Sequence, residues 1–201
     1  MSMLRIELEK VVDNAKHDEI STLQRFLFSF ASLEQLYLGS LVLELLNANI
    51  VLGELSSKLN GLWCLYLGVD FNKADQTSCA LQLFKSFPSL SKLKIMVRIV
   101  HDSDDNAETV MKYLEIPTCL NRPLNKLEYE TINSFRCSKT EVFFVKLLCA
   151  RTPSLVRMCI EQGIAIDSKE EKNITIKLMR FPRAFTWAEL FYFPFEVTNA
   201  D

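Results

Sequence analysis

Histidine is nearly missing from this 201-residue chain, with only His17 and His101 present. That leaves little scope for imidazole-based acid–base work or metal binding. Proline is sparse and no glycine/serine linker appears, so nothing marks a hinge between separate domains. The cysteines Cys64, Cys79, Cys119, Cys137, Cys149 and Cys159 form no C-x-x-C pair, and most sit inside apolar runs. They read as small buried hydrophobes in a reducing compartment. There is no secretory signal pattern and no apolar run of the roughly eighteen residues a membrane span needs. The stretch from Leu41 to Leu52 comes nearest, but Glu44, Asn47 and Asn49 interrupt it. An intracellular chain, in cytoplasm or nucleus and off the membrane, is expected. A net charge of −2 and a pI near 5.8 give no broad attraction to nucleic acid or acidic lipid. G-x-S-x-G, P-loop and G-x-G-x-x-G motifs are all absent, so neither catalysis nor a cofactor is expected.

What the chain does have is an apolar triplet, L-x-x-L-x-L, recurring about every thirty residues. It reads Met3-Ile6-Leu8, Leu33-Leu36-Leu38, Leu62-Leu65-Leu67, Leu90-Leu93-Ile95, Leu124-Leu127-Tyr129, Leu155-Met158-Ile160 and Trp187-Leu190-Tyr192. The first positions lie 30, 29, 28, 34, 31 and 32 residues apart. Within each triplet the last two apolar positions are two apart, and therefore share one face of a strand. With 49% apolar and 24% charged residues the composition suits one ordinary core. The expected fold is a right-handed α/β leucine-rich-repeat solenoid, with parallel strands on the concave face and helices on the convex face. Leu36, Leu65, Leu93, Leu127, Met158 and Leu190 should align in one buried row.

Helical stripes fill the intervals. Ser21-Thr22-Leu23-Gln24 is a capping-box pattern ahead of Leu23, Phe26, Leu27 and Phe30. Asp75 or Thr77 is a candidate cap for Ala80, Leu83, Phe84 and Phe87, which Pro88 terminates. Asp104 and Asp105 precede Ala107, Val110, Met111 and Leu114. Ser138-Lys139-Thr140-Glu141 and Ser168-Lys169-Glu170-Glu171 are two further capping boxes. Between Gly39 and Asn60 several apolar phases compete; the seven triplets should form adjacent parallel strands, and a break in their row, if one occurs, belongs between Leu38 and Leu62. Regular repeats place Asn or Cys eight residues after the first leucine, to bond turn backbone. Here those positions are Leu41, Asp70, Arg98, Ile132 and Gly163, and only Asp70 can serve.

In the second half the chain carries Ser138-Lys139-Thr140-Glu141, Phe144-Val145-Lys146-Leu147-Leu148, Pro153-Ser154-Leu155-Val156-Arg157-Met158 and Arg180-Phe181-Pro182-Arg183-Ala184. With these, Asn125 to Phe193 resembles the FBD segment of plant F-box/FBD/leucine-rich-repeat proteins. Leu67-Gly68-Val69-Asp70-Phe71-Asn72, Asp75-Gln76-Thr77-Ser78-Cys79-Ala80-Leu81 and Phe87-Pro88-Ser89-Leu90 are similar to the repeat region of the same family. The likeness runs from Leu33 to Phe193. It implies irregular leucine-rich repeats over 1–123 and FBD-like repeats over 124–201, in one continuous solenoid. The family's F-box docks onto the adaptor of a cullin-type ubiquitin ligase. Nothing before Leu33 resembles an F-box, so ligase-adaptor binding does not carry over to this chain. The likeness implies a fragment of a ligase subunit or a truncated copy. Phe185-Thr186-Trp187 departs from the family's more polar last turn.

The acidic run His101-Asp102-Ser103-Asp104-Asp105 is the best candidate for metal or acid–base chemistry. It lacks the glycine and the closing glutamate of a calcium loop, and acidic residues also suit a helix start. No metal is assigned to it. The informative surface is the set of residues between the strand leucines. Tyr37, Tyr66, Lys92, Lys94, Lys126, Glu128, Arg157 and Phe191 are the candidate protein-binding residues, with Arg5, Glu7, Gln35, Cys64, Cys159 and Glu189 beside them. Tyr, Phe and Arg often dominate binding energies, and cross-strand aromatic pairs also stabilise sheets. The chain is thus expected to be a non-catalytic interaction module whose concave face takes an unidentified protein, with no nucleic-acid or membrane partner. A truncated copy without independent function, or a small metal-dependent enzyme built on the acidic run, are the alternatives.

Overall fold

The computed structural model describes residues 2–7, 22–23, 25–27, 29–30, 32–47, 55, 59–98, 107–116, 120 and 123–195. Strands and helices alternate: β1 Met3–Ile6, β2 Gln35–Leu38, α1 Ser40–Asn47, β3 Cys64–Val69, α2 Ala74–Ser86, β4 Lys92–Val97, α3 Ala107–Glu115, β5 Tyr129–Phe135, α4 Lys139–Arg151, β6 Arg157–Gln162, α5 Ser168–Met179 and β7 Glu189–Phe193. The seven strands form one sheet in sequence order, and every neighbouring pair is parallel. This is an α/β fold. Consecutive helices pack on one another, α1 on α2, α2 on α3, α3 on α4 and α4 on α5. One sheet face is therefore buried under the helices, and the other is left to solvent.

Period-two alternation decides which side chains go under the helices. Leu36, Leu65, Leu93, Met158 and Leu190 stand opposite one another in register and are buried, as are Leu38, Leu67, Ile95 and Ile160 two residues on. The expected row therefore forms, except in its fourth member, Leu127. Register pairs Leu93 with Glu130, not with Leu127. The fifth unit is Leu127-x-x-Glu130-x-Ile132, three residues beyond the expected frame. A carboxylic acid at a leucine position hid that frame from an apolar pattern. Leu127 is buried at the strand entrance, as are Leu33, Leu62, Leu90 and Leu155 in their units. The first unit also shifts. Leu4 and Ile6 pair with Leu36 and Leu38, so Met3 lies on the open face, 54% exposed. In the last unit Trp187 is not a buried first position but is 81% exposed, while Ala188 packs inside.

The row of strands is unbroken between Leu38 and Leu62, the place where a break was most to be expected. β2 and β3 pair from Gln35↔Cys64 to Leu38↔Leu67, and α1 occupies part of the ambiguous stretch. Val42, Leu43 and Leu46 give α1 a buried face that overrides the competing phases. Ahead of each strand one carbonyl binds the next unit. The oxygens of Ser2, Glu34, Trp63, Ser91 and Glu128 each accept two backbone N–H groups from the following unit. This settles strand-entrance backbone that would otherwise be unpaired. At the other end, the carboxylate of buried Asp70 accepts from Asn72 N–H at 2.9 Å, the turn role expected for it.

Helix starts agree with sequence in one case and differ in two. Ser138 caps α4 and accepts from Glu141 N–H at 3.2 Å, while the Glu141 carboxylate accepts from Arg136 N–H at 2.7 Å. Asp167, rather than Ser168, caps α5, because its Oδ1 takes both Lys169 N–H and Glu170 N–H. Neither Asp75 nor Thr77 caps α2. Lys73 is at the cap position but makes no capping bond with its side chain, which pairs with Glu44 instead, and Thr77 is buried inside the helix. Residues 22–23 and 25–27 are helical and bury Leu27. Ser21, Asp104 and Asp105 lie outside the described residues.

Candidate functional site

The open sheet face carries in-register rows. The first runs Met3, Gln35, Cys64, Lys92, Tyr129, Arg157, Glu189, and the second Arg5, Tyr37, Tyr66, Lys94, Thr131, Cys159, Phe191. Neighbours in a row are about 4.8 Å apart along the hydrogen-bonding direction. The face tightens at Gln35 and Cys64, which are buried, and opens towards β7.

Tyr37 and Tyr66 stand opposite each other as expected. Each ring is met by a cation from the strand beyond. The Arg5 guanidinium lies 4.5 Å from the Tyr37 ring centre and Lys94 Nζ lies 5.1 Å from that of Tyr66. Arg157 repeats the arrangement 5.3 Å from the Phe191 ring, and its Nε and Nη2 both donate to Glu189 Oε2, at 3.1 and 2.9 Å. Cation–ring contacts of this kind fix long side chains without hiding their charge. Arg5 also pairs with Glu7 at 2.8 Å, and Arg98 approaches Glu7 at 3.4 Å. The guanidinium of Arg5 holds the Glu7 carboxyl below its ordinary value.

Of the expected face residues, Tyr37, Tyr66, Lys92, Lys94, Arg157 and Phe191 share this surface. Lys126 and Glu128 do not. They precede β5 as exposed residues of its approach turn, because the frame of that unit is three residues later. Lys126 instead borders, with Lys85 and Pro123, a cleft of about 270 Å³ at the strand entrances. Their places in the rows belong to Tyr129 and Thr131, which the apolar pattern missed. Tyr129 is 43% exposed between Lys92 and Arg157. The signal was present: Tyr129 precedes Glu130 and Ile132 as Cys64 precedes Leu65 and Leu67. Glu7 follows β1 rather than lying within it.

The face offers aromatic rings and fixed cations, not an activated nucleophile. Burial raises the Cys64 and Cys159 thiols there, against the opposing pull of nearby cations. Burial pushes Cys79 and Cys149 up to about 12 and Cys137 to about 11, so these thiols are protonated at neutral pH. The acidic run from His101 to Asp105 and the other histidine, His17, lie outside the described residues. Among the described residues no cluster of three His, Cys, Asp or Glu is placed to hold a metal ion. No helix among them is long and apolar enough to cross a membrane.

No family model, no curated protein and no solved structure matches this chain.

Proposed function

We propose that the chain is a leucine-rich-repeat solenoid that binds a protein ligand on its open sheet face, without catalysing a reaction. This resembles the substrate-recognition portion of F-box ubiquitin-ligase subunits. The observation that carries the reading is the pair of in-register rows that set Tyr37, Tyr66, Tyr129 and Phe191 among Arg5, Lys92, Lys94 and Arg157. Helices cover the opposite face, so these side chains have no core to fill. Aromatic and arginine side chains held in place before contact lose little freedom on binding, which favours them as anchors. Sequential parallel strands with about thirty residues per unit agree with a stacked repeat.

The test is a pull-down with the intact chain, followed by calorimetry on the captured protein. Tyr37→Ala combined with Tyr66→Ala should weaken that complex by more than about 1 kcal/mol. The thermal midpoint should change less than for a core truncation, since both rings are only half-buried on the open face. Unchanged affinity in the double variant would place recognition elsewhere. A folded chain that captures nothing in repeated trials would favour the copy without independent function.

A further inference from the structure

The chain is acidic overall, at −2, but the open face is not. Its strand side chains include four cations, Arg5, Lys92, Lys94 and Arg157, against the carboxylates Glu161 and Glu189. The outer cations are neutralised locally, Arg5 by Glu7 and Arg157 by Glu189, and Glu161 accepts from Asn133 Nδ2. In the centre, on β4, Lys92 and Lys94 have no carboxylate partner among the described residues. Both are half-buried, between β3 with Cys64 and Tyr66 and β5 with Tyr129 and Thr131. An ammonium partly withdrawn from water attracts an anion more strongly than one on an open surface. As residues two apart on one strand, the two lysines leave the backbone about 7 Å apart.

We infer that this face takes an acidic, extended peptide segment, its carboxylates meeting Lys92 and Lys94 and its apolar side chains resting on Tyr66 and Tyr129. The inference rests on the reading of this face as protein-binding and specifies the partner's chemistry. In an extended segment, alternate side chains leave the backbone at the same interval of about 7 Å and so match the spacing of Lys92 and Lys94 along β4. The rings of Tyr66 and Tyr129 flank that line on the two neighbouring strands. A nucleic acid is the other polyanion to weigh. Its continuous phosphates would meet Glu161 and Glu189 as well as the lysines, whereas spaced carboxylates avoid them.

The experiment is selection from a random-peptide phage library on the intact chain and on the Lys92→Gln/Lys94→Gln variant. The intact chain should enrich peptides with Asp or Glu at alternate positions, and the variant should not. A selected peptide, measured by fluorescence anisotropy, should bind the variant at least about fivefold more weakly and should weaken with added salt. Lys92→Arg/Lys94→Arg should keep the acidic preference, which separates loss of charge from loss of fold. Peptides without acidic excess, equal retention by the glutamine variant, no selected peptide, or tighter binding of a single-stranded oligonucleotide would each overturn the inference. Non-acidic peptides that are lost on Tyr37→Ala/Tyr66→Ala would overturn it while leaving the protein-binding face intact. Peptides kept by both variants would remove both readings.

Discussion

Glu130 is the side chain whose position and chemistry disagree most. It occupies a leucine-row position, is 1% exposed, and leaves Oε2 without a hydrogen-bond partner. Thr152 Oγ1 lies 3.1 Å from Glu130 Oε1 and 2.9 Å from the Leu148 carbonyl oxygen. A hydroxyl has one proton, and a carbonyl can only accept. Both bonds are satisfied when Thr152 donates to Leu148 and a protonated Glu130 donates to Thr152. Burial pushes this carboxyl from its ordinary 4.5 up to about 8. Between those values the unfolded chain has released a proton that the native chain keeps, so stability falls as pH rises and levels off above about 8. Glu141, also raised by burial, adds a slope of the same sign. Urea unfolding across this range should show a loss of roughly 2–5 kcal/mol attributable to Glu130. Glu130→Leu should remove that part of the slope and leave the chain more stable at pH 8 than its parent, because an apolar side chain carries no buried charge to desolvate. A variant no more stable than its parent at that pH, with an unchanged slope, would show Glu130 to be solvated.

Among the elements, the C-terminal end of β5 is closely crowded. The ladder to β6 shifts between Ile132 and Phe135, and Ser134 and Cys137 adopt φ of 58° and 67°. Gly163, after β6, lies against this bulge. A Cβ there would meet Ser134 Cα at 2.5 Å and its carbonyl carbon at 2.7 Å, atoms that cannot turn aside. Gly163→Ala should therefore cost roughly 1–3 kcal/mol in denaturant unfolding. Gly61→Ala, whose Cβ would come no nearer than 3.9 Å to Leu33 O, should stay within about 0.5 kcal/mol. None of this crowding was legible in the sequence, since a glycine does not announce which backbone it approaches. Strand frames were legible at Leu36, Leu65, Leu93 and Met158, but not in the first unit, where Leu4 rather than Ile6 holds the row. The frame was lost where Glu130 broke the pattern, and Tyr129 was lost from the open face with it. Ser138 was legible as a cap because its capping box is intact. Asp167 outcompeted Ser168 because its Oδ1 accepts two N–H groups at once.

Across the seven strands, position in the order sets how much each side chain contributes. Leu65 on β3 is fully buried with a strand on either side, whereas Leu4 on β1 is half-buried beside β2 alone among the described residues. Leu65→Ala should cost about 2–5 kcal/mol and Leu4→Ala clearly less, measured by the shift in urea midpoint. Equal losses would contradict the unequal packing of the two positions. The two outer strands also differ in character. Arg5 of β1 pairs with Glu7 just beyond the strand, while β7 ends in exposed Phe191 and Phe193, their rings stacked 6.3 Å apart. The order β1 to β7 has a kinetic consequence too. Every strand pairs with one that lies about thirty residues away, and none waits for a distant stretch of chain. Loop closure is therefore similarly cheap for each pairing. Growth can begin at any adjacent pair and proceed in both directions, so a nascent chain can lay down β2 on β1 and β3 on β2 before the later residues exist.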